Sequence, residues 1–280
     1  MHPTYLYIKN SLCGIYPESE VVALAKWILT EVFHLSVTEL YTGKDNDFPD
    51  DKRRKLENIL ARLKQHEPLQ YILGEVSFAG VCLEVTPDVL IPRPETAELI
   101  DWIAADYAQG GVKILDVGTG SGCIPIALAH RLPEVQVTSW DVSEKALQVA
   151  ARNVMRNGVN VTLGRVDVLS DAVPPVRVDV LVSNPPYITE QERTDMERNV
   201  LDWEPELALF VPDHDPLLFY RRIAEIGQKA LPEGGALYYE INRAYGPDTV
   251  ALLQAMGYAQ IELRKDMFGN DRMVKAIRKN

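Results

Sequence analysis

The sequence predicts an α/β fold, with a parallel sheet covered by helices on both faces and a separate helical segment before it. Three observations carry this. From Gly111 onward, short apolar runs alternate with amphipathic helical stretches, the pattern that builds parallel βαβ units. A glycine-rich turn, Gly118 to Gly122, follows directly on the first of those runs. Before Leu73, apolar residues recur at helical spacing. The 280 residues are 46% hydrophobic and 25% charged, which suits one or two globular domains and excludes a disordered or fibrous chain.

The elements follow in order. Val21, Val22, Leu24, Ala25, Ile28, Leu29 and Val32 mark a helix between Glu18 and Leu35. Leu56, Ile59, Leu60 and Leu63 mark another between Asp50 and Gln65. Such a bundle either serves stability alone or recognises a partner. From Gly74 to Ile91 the residues Val76, Phe78, Val81, Leu83 and Val85 favour strand on either side of Ala79-Gly80, a hairpin. The prolines of Ile91-Pro92-Arg93-Pro94-Glu95-Thr96 forbid regular helix and stiffen a linker or ordered loop. Helix resumes from Thr96 to Tyr107. Strands then fall at Lys113 to Val117, Val135 to Trp140, Val178 to Ser183 and Ala236 to Ile241. Helices fall at Ser121 to Arg131, Ser143 to Asn157 and Leu217 to Leu231.

The first strand runs Ile114-Leu115-Asp116-Val117 into Gly118-Thr119-Gly120-Ser121-Gly122. Glycines there let the backbone turn sharply and bring a ligand close to main-chain amides. Asp141 ends the next strand, where a carboxylate can accept hydrogen bonds from both ribose hydroxyls of a nucleoside cofactor. The glycine spacing is not that of a dinucleotide fingerprint, and the lysine of a phosphate-binding loop is missing. Asp116 would be poorly placed against a pyrophosphate and suits a cationic cofactor. S-adenosylmethionine, with a sulfonium, an ammonium and no phosphate, fits best.

The strand Val178 to Ser183 runs into Asn184-Pro185-Pro186-Tyr187. Ligands of open α/β sheets bind outside the carboxyl ends of the strands, so Asn184 is expected to face the same cavity as the glycine loop. The prolines fix φ and hold the Pro185 carbonyl outward. With the Asn184 side-chain oxygen this gives two acceptors for one NH2 group, and Tyr187 can lie flat over a planar amide or base. A conjugated NH2 is a poor nucleophile. Two acceptors align it and stabilise positive charge as a methyl group arrives.

Charge and cysteine usage narrow the class. The 29 basic and 40 acidic residues leave a net charge of -11, without the broad basic footprint of a protein that binds bare nucleic acid. The three cysteines and five histidines are scattered, with no local metal motif, and unpaired cysteines suit a reducing compartment, the cytoplasm. No stretch has the ~18 apolar residues that span a membrane, and no signal peptide is visible.

With these motifs in hand, the chain resembles the peptide chain release factor N5-glutamine methyltransferases (PrmC/HemK type) along nearly its whole length. The resemblance rests on Pro68 to Gly74 with Phe78, Val89 to Thr96, Asp116 to Gly122, Ser183 to Ile188, Glu204 to Leu209, and Lys265-Asp266 with Asp271-Arg272. It implies a class I (Rossmann-like) methyltransferase with a seven-stranded, mostly parallel sheet and its last strand antiparallel. A small N-terminal all-helical domain (1–73) that docks the release factor would be joined by a β-hairpin and proline-rich linker (74–95) to the methyltransferase domain (96–280). It implies methyl transfer from S-adenosylmethionine to the glutamine of the Gly-Gly-Gln motif in class 1 release factors. Gly118, Thr119, Gly120, Ser121, Gly122, Asp141, Asp167, Val168 and Asn184 would bind the cofactor, Val168 beside its adenine. Asn184, Pro185, Pro186 and Tyr187 would hold the glutamine amide. Ala97, Asn242 and Tyr245 depart from the family's pattern. Methylation of a ribosomal protein glutamine or of adenine in nucleic acid, where the acceptor is again a planar conjugated NH2, remains the alternative; a non-catalytic binding module would not need Asn184.

Overall fold

The computed structural model describes residues 2–43, 49–170 and 172–279. The chain forms two compact units. One takes Met1–Leu73 together with Arg198–Trp203, the other Gly74–Glu197 and Glu204–Asn280.

The first unit is helical: α1 (Pro3–Leu12), α2 (Glu18–Trp27), α3 (Val37–Thr42), α4 (Asp50–Leu63) and α5 (Leu69–Leu73). In α4 the apolar positions Leu56, Ile59, Leu60 and Leu63 are all buried, while charged residues cover the other face. They join Ile8, Leu12, Ala25, Ile28 and Leu29 in one core. The expected helix to Leu35 is shorter. After Trp27 one π turn, Ile28–Val32, widens the ladder, and Phe33 N donates to Ile28 O at 3.2 Å. The β-branched Ile28, Thr30 and Val32 crowd the preceding turn here. Ser36 and Glu39 then cap α3 reciprocally. The distant segment Arg198–Trp203 joins this unit with Trp203 Nε1 donating to Gln65 O at 3.2 Å, a link that no local sequence pattern announces.

The second unit opens with a hairpin, β1 (Glu75–Phe78) and β2 (Val81–Glu84). Ala79 and Gly80 both have positive φ, 48° and 90°, the backbone of a tight two-residue hairpin turn. Next come α6 (Pro94–Asp106), β3 (Lys113–Val117), α7 (Cys123–Arg131), β4 (Gln136–Asp141), α8 (Glu144–Asn157), β5 (Val161–Arg165) and β6 (Val180–Ser183). A two-residue pair, β7 (Ile188–Thr189) and β8 (Phe210–Val211), precedes helix Leu218–Ala230. Strand β9 (Ala236–Glu240), helix Gly246–Ala255, β10 (Tyr258–Lys265) and β11 (Asp271–Arg278) complete the unit.

One seven-stranded sheet has the order β10-β11-β9-β6-β3-β4-β5. β9, β6, β3, β4 and β5 are parallel, and the last strand, β11, is antiparallel to both neighbours. Strand alternation sends Ile114, Val180, Val182 and Tyr238 into one buried layer and Leu115, Leu181, Leu237 and Tyr239 into the other, as expected of a sheet covered on both faces. The register aligns Val117 with Trp140 on one side and Ser183 on the other, and Ser183 with Tyr239. The next residues, Gly118, Asp141, Asn184 and Glu240, therefore share one row at the carboxyl edge. The chain reverses its strand order at the β3–β6 junction, the switch point where open α/β sheets bind ligands. Among the described residues no helix is long and apolar enough to cross a membrane, and no three metal-ligating side chains cluster.

Candidate active site

The carboxyl edge opens into a cavity of about 160 Å³. Gly118, Thr119, Gly120, Ser121, Asp141, Asp167, Val168, Asn184, Pro185 and Pro186 all line it. Gly122 and Tyr187 stand behind the wall. Gly122 caps α7 at φ 84°, and a Cβ there would meet Ile126 Cδ1 at 2.7 Å, so its absence serves helix packing.

The glycine loop is tied to the neighbouring strand. Gly118 N and Thr119 N both donate to Trp140 O, at 2.8 and 3.1 Å. Gly118 has φ 87°, and a Cβ on it would stand 3.7 Å from Asn184 O, so the two loops run side by side. Asp141 accepts from Gly120 N at 2.9 Å and from Ser143 N at 2.8 Å, one on each carboxylate oxygen. Burial raises its pKa, and those amides pull it back.

Asp116 does not line the cavity. It is fully buried beneath the loop, where Ser139 Oγ donates to Oδ2 and Thr119 Oγ1 meets Ser139 Oγ. Its Oδ1 has no hydrogen-bond partner. Burial pushes its carboxyl up to about 7, with Asp141 adding to the rise. Asp116 thus carries the loop from below through two hydroxyls rather than forming the cavity floor.

Asn184 rests on a buried chain of hydrogen bonds. Its Nδ2 donates to Thr96 Oγ1 at 3.3 Å, and Thr96 Oγ1 donates to Glu240 Oε2 at 2.6 Å. Tyr187 OH donates to Glu240 Oε1 at 3.3 Å. Burial raises the Glu240 pKa; the Thr96 hydroxyl and Arg272 draw it down. Asn242 braces the same loop from the far side. Its Nδ2 donates to Tyr187 O at 3.0 Å and to the Glu192 carboxylate at 3.1 Å. The proline-rich segment is fastened as well: buried Glu204 accepts from Ile91 N at 3.2 Å and from Arg93 Nη2 at 2.6 Å. Sequence reasoning singled out Thr96 and Glu204 as parts of motifs but not these bonds. The bonds join residues 111 to 144 positions apart, beyond any local pattern.

The donor set selects among cofactors. Three aspartates, Asp88, Asp141 and Asp167, and one arginine, Arg93, are the charged groups lining the cavity. A pyrophosphate would meet repulsion there, while a cation would be favoured. Val142, Val168, Phe219 and Ile223 offer apolar surface for a flat ring.

Residues 8–74 match the family model described as PrmC N-terminal domain, and residues 96–202 the one described as Methyltransferase small domain. A release factor glutamine methyltransferase of Bacteroides thetaiotaomicron is 50% identical over 273 residues, covering 97% of this chain and 98% of that one. That of Flavobacterium psychrophilum is 42% identical over 271 residues, 95% of each chain. The chain belongs to the release factor glutamine methyltransferase family.

A solved methyltransferase from Pyrococcus furiosus shares the fold, with TM-score 0.54 and 19% identity over 83% of this chain and 100% of that one. Asn242, which the sequence reading sets apart from the family's pattern, has a definite place in the structure. Its side chain carries the Tyr187 carbonyl, caps Ala244 N at 3.0 Å and so adds a brace to the loop that holds Asn184.

Proposed function

We propose that this enzyme transfers the methyl group of S-adenosylmethionine to the side-chain amide nitrogen of the glutamine in the Gly-Gly-Gln motif of class 1 release factors. The observation that carries the proposal is the meeting of the glycine loop, Asp141 and Asn184 at the switch point of one cavity. Membership of a family whose members are named for release factor glutamine supports the choice of acceptor.

The cavity's residues fit the cofactor's chemistry. Asp141 would accept the ribose hydroxyls, the loop amides from Gly118 to Ser121 would meet the amino-acid end, and Asp167 and Val168 would border the adenine. The bound cofactor supplies an electrophilic methyl on a sulfonium. The protein's task is the amide. The Asn184 Oδ1 and the Pro185 carbonyl would accept its two N–H groups, turn the nitrogen lone pair toward the cofactor side and stabilise the positive charge that builds there. No strong general base is needed, because the nitrogen's proton becomes acidic once the methyl is on it. Tyr187, held by Glu240, would back the planar amide from behind Pro186. The helical unit would dock the release factor, and the enzyme would act where release factors do, in the cytoplasm.

The test offers labelled S-adenosylmethionine with a class 1 release factor, its Gly-Gly-Gln glutamine-to-alanine variant, ribosomal proteins and an adenine-containing oligonucleotide. Label on the intact release factor alone supports the proposal. Label on a ribosomal protein or the oligonucleotide moves the function to that substrate.

A further inference from the structure

We propose that Thr96 and Glu240 are positioning residues that fix which end of the Asn184 side-chain amide faces the acceptor. The inference rests on the reading that Asn184 Oδ1 accepts from the substrate NH2. A threonine hydroxyl has one hydrogen to give. Thr96 gives it to Glu240 Oε2 at 2.6 Å, the short distance of a bond to a carboxylate. Its oxygen can then only accept, and it accepts from Asn184 Nδ2 at 3.3 Å. Thr96 and Glu240 are each 1% exposed, so water does not compete for either bond. The nitrogen end of Asn184 is thereby committed inward, and the oxygen is the end left for the cavity.

Direction is the point of this relay. An asparagine amide rotated by half a turn has nearly the same shape but offers N–H groups, which would oppose the N–H groups of a glutamine amide. Packing alone distinguishes the two orientations weakly. A carboxylate that cannot donate, acting through a hydroxyl, distinguishes them chemically. The same Glu240 carboxylate also takes the Tyr187 hydroxyl at 3.3 Å, so one buried charge holds both ends of the Asn184–Tyr187 loop. Arg272 offsets that charge electrostatically, and Glu95 opposes it.

The experiment compares the full-length wild type with Thr96→Val, Thr96→Ser and Asn184→Ala, and with Thr96→Val combined with Asn184→Ala. It measures kcat and KM for the release factor, and the cofactor Kd by calorimetry. Thr96→Val keeps the side-chain shape and removes the hydroxyl. It lowers kcat by roughly 10- to 100-fold, the scale of a misoriented catalytic group, and leaves KM and Kd in place. Thr96→Ser restores kcat. In the Asn184→Ala background Thr96→Val costs nothing further, because the group it orients is gone. A wild-type kcat in Thr96→Val, a cofactor affinity that falls in step with kcat, or a loss that multiplies in the double variant each overturns the relay.

A second measurement needs no turnover. The Asn184 side-chain amide signals in nitrogen-15 NMR, assigned by their loss in Asn184→Ala, shift in Thr96→Val and return in Thr96→Ser. Signals that do not move overturn the relay. Should the wild type fail to label any release factor, the proposed function falls, and the NMR result still decides the relay.

Discussion

At the scale of single residues the site depends on carboxylates in unlike surroundings. Asp141 has an amide on each oxygen and a face on the cavity. Replacing it by alanine should weaken cofactor binding by about 1.5–3 kcal/mol, the usual worth of hydrogen bonds to a charged group, as read by calorimetry. An unchanged Kd would reject its ribose role. Asp116 is different: it binds its proton more tightly in the folded chain than in the unfolded one. Its contribution to stability is fully present below the ordinary carboxylate range and is lost as pH rises to about 7. At ~1.4 kcal/mol per unit, the loss is of order 4 kcal/mol at most. Urea unfolding of the cofactor-free protein from pH 5 to pH 8 should show this slope, and Asp116→Asn should flatten it. A slope that survives the substitution would place the titration elsewhere.

At this scale the sequence was informative about identity and less so about partners. Gly118, Asp141 and Asn184 announce themselves because each follows an apolar strand, and strand ends meet at a sheet edge. Asp116 also stood out, but its place beneath the loop follows from the Ser139 and Thr119 hydroxyls, and neither carries a motif signal. Glu240 could be read only as the end of a strand. Its bond to Thr96 spans 144 positions and needs the fold.

At the scale of elements, the hairpin falls within the same compact unit as the seven-stranded sheet. Asparagines on α8 pair with the outer backbone of β2. Glu84 N donates to Asn153 Oδ1 at 2.6 Å, and Asn153 Nδ2 donates to Glu84 O at 2.9 Å. Asn153 Nδ2 also donates to Ser121 O at 2.8 Å, which couples the hairpin to the glycine loop. Cys82 makes a similar exchange with Asn157. Asn153 is fully buried. Asn153→Ala leaves several backbone groups unsatisfied and should cost about 2–4 kcal/mol of stability by urea denaturation, at ~1–3 kcal/mol per orphaned group. A change below that range would mean that water or a shifted backbone replaces the bonds. Helical periodicity found α8, and Asn153 falls on its buried face, four residues after Val149 and three after Ala150; a polar residue within an apolar stripe does not announce its partners, so its task was not legible.

At the scale of the whole molecule, the helical unit and the sheet unit each close their own hydrophobic core, with no residue in common. Separate cores predict separate unfolding. Hydrogen exchange followed segment by segment in urea should give one midpoint for α1, α2 and α4 and another for β3, β4 and β6, the helical unit having the smaller slope because it exposes less surface. A single shared midpoint would contradict this. The periodicity of the sequence changes near Leu73, where the first stretch of the helical unit ends. It did not disclose that Arg198–Trp203 belongs with the helices, since a single helical turn has no period to read.

The central claim is that Asn184 presents a glutamine amide for methylation. Tandem mass spectrometry of a class 1 release factor, treated with cofactor and either the wild type or Asn184→Ala, tests it most directly. The account predicts one methyl group on the side-chain nitrogen of the Gly-Gly-Gln glutamine, formed roughly 100- to 1,000-fold more slowly by the variant, the cost of losing one preorganised hydrogen-bonding group at the reacting centre. A methyl group on any other residue, or a variant as fast as the wild type, would contradict it.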